Sequence, residues 1–491
     1  MIPSLFLLPF LAGIAVFSIR EDTWRRRILI GVAVFHLLLT ALCWVKLPNA
    51  WFMGWFALDS AGLLFLSITS LLFLTTSFYS VGYFQREGSG KRVDFEENFL
   101  FVDAPEARFT GCLLFFLATM TLVILSQHFG MFWVAMEATT LASAPLIYFH
   151  RHHRSLEATW KYLMICSVGI ALALLGNFFL AVAATPNGEE PISLLVNPLL
   201  AAGGKLQTSW LKAAFIFFLV GYGTKMGLAP MHTWLPDAHS ESPSVVSSLL
   251  SGALLNCAFL GILRAYQVCA AAGIASFVQE LLVNFGLLSL AVAAIFIIGQ
   301  RDYKRMLAYS SIEHMGILAL GVGLGGVGIF GAMLHAINHS LTKGMLFLVA
   351  GNILSTFHTK STSEVRGVLR VIPCSGILWL VGFLAITGTP PFGLFLSELT
   401  ILKAALDQKH IFIAIVYLAL LSFIFIGMAS VFLPTAQGKT LPSNSPIAQR
   451  EGWLAILPPL CLGILIFMLG VYIPSPINQL LHEAARMLGG A

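Results

Sequence analysis

Eight titratable residues fall inside otherwise apolar stretches: Glu137, Lys225, Glu313, His314, His335, His339, Lys343 and Glu398. A charged side chain at a bilayer centre costs roughly 2.5–3.5 kcal/mol even on lenient insertion scales, so each needs a reason to be there. Burial favours the neutral form of an amine, and a nearby carboxylate favours the charged one, so a Glu–Lys pair can change protonation state cheaply. Glu137 and Lys225 are the expected pair. The plainer readings are a structural ion pair for Glu137 and a snorkelling chain for Lys225. His335, His339 and Lys343 follow one another at i, i+4 and i+8, on one helix face and about 6 Å apart per step. Titratable groups so spaced, with bridging water, suit proton hopping. Two histidines at i, i+4 can also hold zinc, but no carboxylate or third ligand accompanies them on that helix, so no metal site is expected. Glu398 reads either as an interfacial acid pairing with Lys403 or as the last carrier before one aqueous side. Glu313 and His314 are adjacent and must point in different directions, one on the path and one packed.

The elements that carry these residues are long and apolar. The 491-residue chain is 58% hydrophobic and 10% charged, against roughly a quarter charged in soluble domains. Its net charge of +5 therefore reflects loop residues and is no sign of nucleic acid. Apolar runs fall at about 2–19, 27–45, 58–84, 109–126, 129–149, 158–184, 210–229, 243–266, 275–299, 304–325, 327–354, 374–404, 411–433 and 453–474. Backbone groups in lipid must be satisfied internally, so these runs are expected to be helices. The fold class is then all-α integral membrane with about fourteen transmembrane helices. The first run lacks a basic leader and is read as a span. Lys and Arg in and beside alternate loops divide nineteen to seven, with Lys225 and Lys343 inside spans. The richer side, from Arg20 to Arg450, is expected to be cytoplasmic, leaving both termini outside a bacterial or archaeal cytoplasmic membrane.

Two segments are alike. Leu219–Val220–Gly221 is followed by Gly227 and Pro230, and the same spacing recurs as Leu380–Val381–Gly382, Gly388 and Pro391. Glu137 and Glu313 give a second echo. The units would be 109–266 (spans 4–8) and 275–433 (spans 9–13), preceded by 1–108 and followed by 434–491. Five helices per unit is odd, so the copies should be inverted, as in many transporters. Pro230, Pro390 and Pro391 lie within spans 7 and 12, which should therefore be broken and should border a polar interior.

Four ordered motifs carry a family resemblance. GTKMGLAPMHTWLPDAHSESPSVVSSLLSG (223–252), QRDYKRMLAYSSIEHMG (300–316), HAINHSLTKGMLFLVAGN (335–352) and GTPPFGLFLSE (388–398) resemble the antiporter-like subunits of NADH–quinone oxidoreductase, Mrp antiporters and membrane-bound hydrogenases. FWVAMEATTLASA, LPDAHSESPS and LLNCAFL are most similar to the hydrogenase-4 component F type. The resemblance implies fourteen helices and a central polar axis through Glu137, Lys225, the span-11 stripe and Glu398. In two places the sequence departs from it. Complex I members often carry Lys or His midway along span 8, where this chain has Ser251 followed by Asn256; a hydroxyl can hold water but cannot store a proton. The largest complex I relative has Lys at the Glu398 position, together with a lateral helix and extra span not expected here.

The seven cysteines form no cluster, and no Gly-rich nucleotide loop follows a strand, so no cofactor is expected in this chain. Redox chemistry would belong to partners: other membrane subunits and a peripheral hydrogenase-like or quinone-oxidoreductase-like arm. The alternatives are a Mrp-type cation/proton antiporter and an energy-coupled inorganic-carbon uptake system, with this chain as one subunit of either. A sodium site would want several oxygens, whereas these spans offer mostly nitrogens and isolated carboxylates, which favours protons. If the charge bias sets topology, reporters fused at either terminus should both be active outside the cytoplasm; a cytoplasmic signal at either end would overturn the assignment.

Overall fold

The structure is a computed structural model, and it describes residues 1–86, 91–93, 100–185, 190–439 and 451–490. Arg450, one of the charges that set the expected orientation, lies outside the described residues. Each of the fourteen apolar runs folds as helix. They form α1 (Ile2–Ser18), α2 (Asp22–Val45), α3 (Ser60–Arg86), α4 (Glu106–Leu125), α5 (Phe129–Ile147) and α6 (His153–Ala183). A short α7 (Val196–Ala201) precedes α8 (Thr208–Met226) and α9 (Trp234–Glu241), the two pieces of a broken helix. Then come α10 (Ser244–Leu249), α11 (Leu255–Ala271), α12 (Ala275–Ile297), α13 (Tyr303–Leu324) and α14 (Val327–Phe357). After α15 (Val368–Val371), the next broken helix is α16 (Pro373–Ile386) with α17 (Gly393–Asp407), followed by α18 (Ile411–Gln437), α19 (Trp453–Val471) and α20 (Ser475–Arg486). Ten helices among the described residues are long and apolar enough to cross a membrane. The chain is a multi-pass membrane protein.

Burial sorts these helices into centre and rim. The most apolar stretches of the α10–α11 unit and of α13 are wholly buried, whereas that of α18 is only 28% buried and that of α2 33%. Helices polar enough to carry Glu313, His314, His335 and Lys343 thus lie inside, and uniformly apolar ones face lipid. Small residues set the closest approach: Gly221 of α8 packs against the Gly169 carbonyl and Ala173 of α6, leaving no room for a Cβ. Backbones can come this near in membranes only with such residues, and the contact brings α8 alongside the helix that bears Tyr162.

Both breaks fall where the sequence placed them. Gly227 ends α8 at φ +83°, and Gly388 follows α16 at φ +60°. Each break contains a cis X–Pro peptide, Ala229–Pro230 and Pro390–Pro391. The freed backbone finds partners within the protein. The Trp234 indole donates to the Thr224 carbonyl (2.8 Å), and Ala229 N–H donates to Ser289 Oγ (2.9 Å). A third irregularity, a π-helical turn over Leu250–Leu254, joins α10 to α11.

Three features were not expected. Lys91–Val93 pairs antiparallel with Leu100–Val102, so the all-α expectation needs a two-stranded ribbon added. Past α19, the amphipathic α20 docks through Leu480, Leu481, Ala484 and Ala485, and Ser60 donates to Glu483 (2.9 Å). A charge network also ties α9 to the start of α13. Lys360 Nζ meets Glu241 (2.7 Å) and Asp302 (3.9 Å), Ser240 donates to Asp302, and Lys304 donates to the Ser242 carbonyl (2.6 Å). Burial pushes the Glu241 carboxyl up, but the Lys360 ammonium more than reverses this and brings it down to about 2. A depressed carboxylate stabilises the fold above its ordinary value near 4.5 and loses that contribution as pH falls towards 2. The melting temperature of the purified protein should drop across this window. Glu241→Gln should melt lower at neutral pH and respond less to acid; an unchanged pH profile would show the network to be passive.

Candidate functional site

The sequence-derived residues gather around two lysines. Lys225, fully buried, sits in the last turn of α8 beside Thr224, whose carbonyl the break frees. It does not snorkel. Its Nζ donates to Thr140 Oγ1 (2.8 Å) and Tyr162 Oη (2.7 Å) and lies 4.6 Å from the centre of the Tyr162 ring. Thr140 Oγ1 in turn donates to Glu137 Oε2 (3.3 Å), and Ser167 donates to Glu137 Oε1 (2.9 Å). Glu137 and Lys225 are therefore bridged by a hydroxyl and make no direct ion pair among the described residues. Glu137 is half-buried, midway along α5, and Ser143 continues the chain from Tyr162 at 2.6 Å.

The second cluster is buried throughout. Lys343 donates to the Leu307 carbonyl and to Ser310 Oγ of α13. His335 Nε2 stands 3.0 Å from His314 Nδ1, and its Nδ1 stands 2.9 Å from Ser397 Oγ of α17. The His339 ring lies 4.8 Å from that of His314. Glu313 Oε2, His314 Nε2, both ring nitrogens of His339 and Glu398 Oε1 are buried without a hydrogen-bond partner among the described residues. Such atoms call for water in a native site. Of the adjacent pair, His314 faces His335, while Glu313 is buried with its Oε2 unpartnered among the described residues. Glu398 is buried and Lys403 exposed, so the pairing considered for them does not occur. The span-11 histidines have no carboxylate on their own helix, but α17 brings Glu398 to one of them, His335. His314, His335 and Glu398 offer ligand atoms within 4.8 Å of one another.

Between the clusters lies the π-helical turn. Ser251 Oγ sits 2.9 Å from Ser311 Oγ, and Asn256 donates to Ser340 Oγ (2.7 Å) and the Gly252 carbonyl (3.0 Å). Pro230, Pro390 and Pro391 make no hydrogen bond to the eight site residues among the described residues and act through the breaks. Gly388 has a sharper role: a methyl at its α-carbon would run into the Glu398 carboxylate.

Several participants were not singled out from sequence. Thr140, three residues beyond Glu137 and so on its helix face, was findable; Tyr162, Ser310 and Ser397 arrive from other helices. His239 is also fully buried, its ring stacked on Phe347 at 5.1 Å while the Lys343 ammonium lies 5.9 Å from the same ring. His36, by contrast, is a satisfied core histidine between Ser70 and Thr121.

The sequence and fold are those of a known group of membrane proteins. Residues 126–424 match the family model described as NADH:quinone oxidoreductase/Mrp antiporter, TM. The chain belongs to that family. A hydrogenase-4 component F homolog of Methylacidiphilum infernorum is 34% identical to this antiporter-family chain over 441 residues, 89% of each. Among solved structures, a chain of the archaeal membrane-bound sulfane sulfur reductase superposes with a TM-score of 0.86 at 20% identity, covering 99% of this chain and 97% of its own. A chain of the Mrp complex from Dietzia gives 0.83 at 20% identity, covering 99% and 96%. At such identities the likeness speaks for the fold alone.

The hydroxyl bridge can be tested directly. Thr140→Val removes a group that both accepts from Lys225 and donates to Glu137, and should cut proton transport by about a hundredfold or more, within the range of positioned proton-transfer groups. Thr140→Ser should restore it; equal transport in the Val variant would remove the bridge from the path. Gly388→Ala should displace Glu398 and lower transport, with assembly retained if the carboxylate alone moves.

Proposed function

We propose that this antiporter-family chain is a proton-translocating membrane subunit of a multisubunit respiratory-type oxidoreductase, of the hydrogenase-4 component F kind. The single observation that carries the reading is the line of buried titratable groups beside two broken helices. Glu137, Thr140 and Lys225 stand at one end, and Lys343, His339, His314, His335 and Glu398 at the other. Lys225 is held only by hydroxyls, so it can give up a proton without stranding a buried counter-ion. Thr140 can accept that proton as it passes its own to Glu137. Glu137 is the one member partly exposed, so a neighbouring subunit can change its charge and thereby the proton affinity of Lys225. Ser251, Asn256, Ser311 and Ser340 would join the clusters through water.

The matched breaks at Gly227 and Gly388 support two inverted units, 109–266 and 275–433, flanked by 1–108 and 434–491 in a fourteen-span chain. The charge count supports both termini outside. The relative of 34% identity supports a hydrogenase-type complex, in which a peripheral redox arm would do the electron chemistry and this chain would carry no cofactor. A second reading, a Mrp-type antiporter subunit, is favoured by a Na+/H+ antiporter component of Alkalihalophilus pseudofirmus, 31% identical over 390 residues but spanned for only 47% of its length.

Purification of the native complex followed by reconstitution in liposomes tests both. Lys225→Met and Glu137→Gln should each abolish turnover-coupled acidification while leaving the subunit composition unchanged. Full proton stoichiometry in either variant would remove these residues from the mechanism. Co-purification of small Mrp-like subunits in place of a redox arm would select the second reading.

A further inference from the structure

The geometry points to a binding site for a borderline transition-metal dication of the zinc type at His314, His335 and Glu398. Three helices converge there: α13 brings His314, α14 brings His335 and α17 brings Glu398. One potential ligand atom from each lies within 4.8 Å of the other two. Zinc holds imidazole nitrogen and carboxylate oxygen at about 2.0–2.2 Å, which sets tetrahedral ligand atoms about 3.3 Å apart. The two imidazoles are already close to this, with facing nitrogens 3.0 Å apart. Only Glu398 has to swing inward, and its Oε1 has no partner among the described residues to give up.

The surroundings are those of a built site. Ser397 Oγ sits against His335 Nδ1 and fixes that ring with Nε2 turned towards His314. An outer hydrogen bond of this kind selects the tautomer of a metal-binding histidine and orients it. Glu398 also borders a cavity of about 450 Å³ lined by Thr387, Gly388, Tyr417 and Ser422 among others, which opens to the outside of the chain. Most of its other lining side chains, Phe395, Leu402 and Leu421 among them, are apolar, and it leaves room for a water as fourth ligand. Tyr417 Oη, buried and without a partner among the described residues, faces the same cavity. Two nitrogens and one carboxylate disfavour calcium and magnesium, which want oxygens throughout, and suit zinc or cobalt.

This assignment goes beyond the proton-carrier reading and does not depend on it, because metal binding is measured without transport. If both hold, a bound dication occupies the lone pairs that would pass protons and closes the second cluster. The test uses the purified full-length protein in its complex, stripped with chelator and loaded with Zn2+ or Co2+. X-ray absorption on the unmutated zinc-loaded protein should show two imidazole ligands with oxygen completing the shell. His335→Gln and Glu398→Gln should each weaken Co2+ binding by more than tenfold, and Ser397→Ala by about tenfold as a lost outer contact. His150→Gln with His152→Gln, a half-buried pair beside Asp103 and Glu241, should leave binding unchanged. Fewer than two imidazoles in the absorption spectrum, or binding that follows His150 and His152 in place of His335, would overturn the proposal.

Discussion

Lipid offers no hydrogen bonds, and the architecture of this chain follows from having to meet every polar group from within. Breaking a helix frees carbonyls and amides, so a break is tolerable only where other helices bring donors and acceptors. At the first break Trp234 and Ser289 do this, and they come from after the break and from α12. The centre of the bundle is where such partners are dense. The two lysines and the π-helical turn accordingly lie in the buried core, the breaks reach its margin at Pro230, Pro390 and Pro391, and the most apolar helices are left on the rim.

The same constraint explains what was legible in the sequence. Helix positions and both breaks could be read, because apolar length and Gly/Pro punctuation are local properties. The eight titratable residues inside the spans, seven of them buried, could be read too, because their cost depends only on depth. What could not be read was who meets whom. Lys225 reaches Tyr162 across a helix interface set by Gly221 and Gly169, and nothing near Lys225 in sequence announces that contact. Glu398 belongs to His314 and His335 for the same reason. The helix α20 was missed for a different one. It is short and amphipathic, so it falls below the apolar-run criterion, although the spacing of Leu480, Leu481, Ala484 and Ala485 carries a helical period.

The two lysines are solved differently. Lys343 is fully buried and held by a backbone carbonyl and a hydroxyl of α13. Lys225 is linked through Thr140 to a carboxylate at the bundle's edge. The first arrangement suits storage and passage of a proton within the chain. The second leaves one group where an adjoining protein can reach it.

The hydroxyl between Glu137 and Lys225 is best understood by what a direct contact would do. Two unit charges at about 4 Å attract by about 4 kcal/mol at an effective dielectric of about 20, and losing either partner strands the other in a poor medium. Such a pair is a lock. Placing Thr140 between them lengthens the separation and weakens that attraction, while Tyr162 keeps the ammonium solvated by the protein. In the proposed proton path, this arrangement would let one group sense the charge of the other while leaving the proton free to move. A threonine three residues beyond the glutamate on the same helix face achieves this with a short side chain that both accepts and donates.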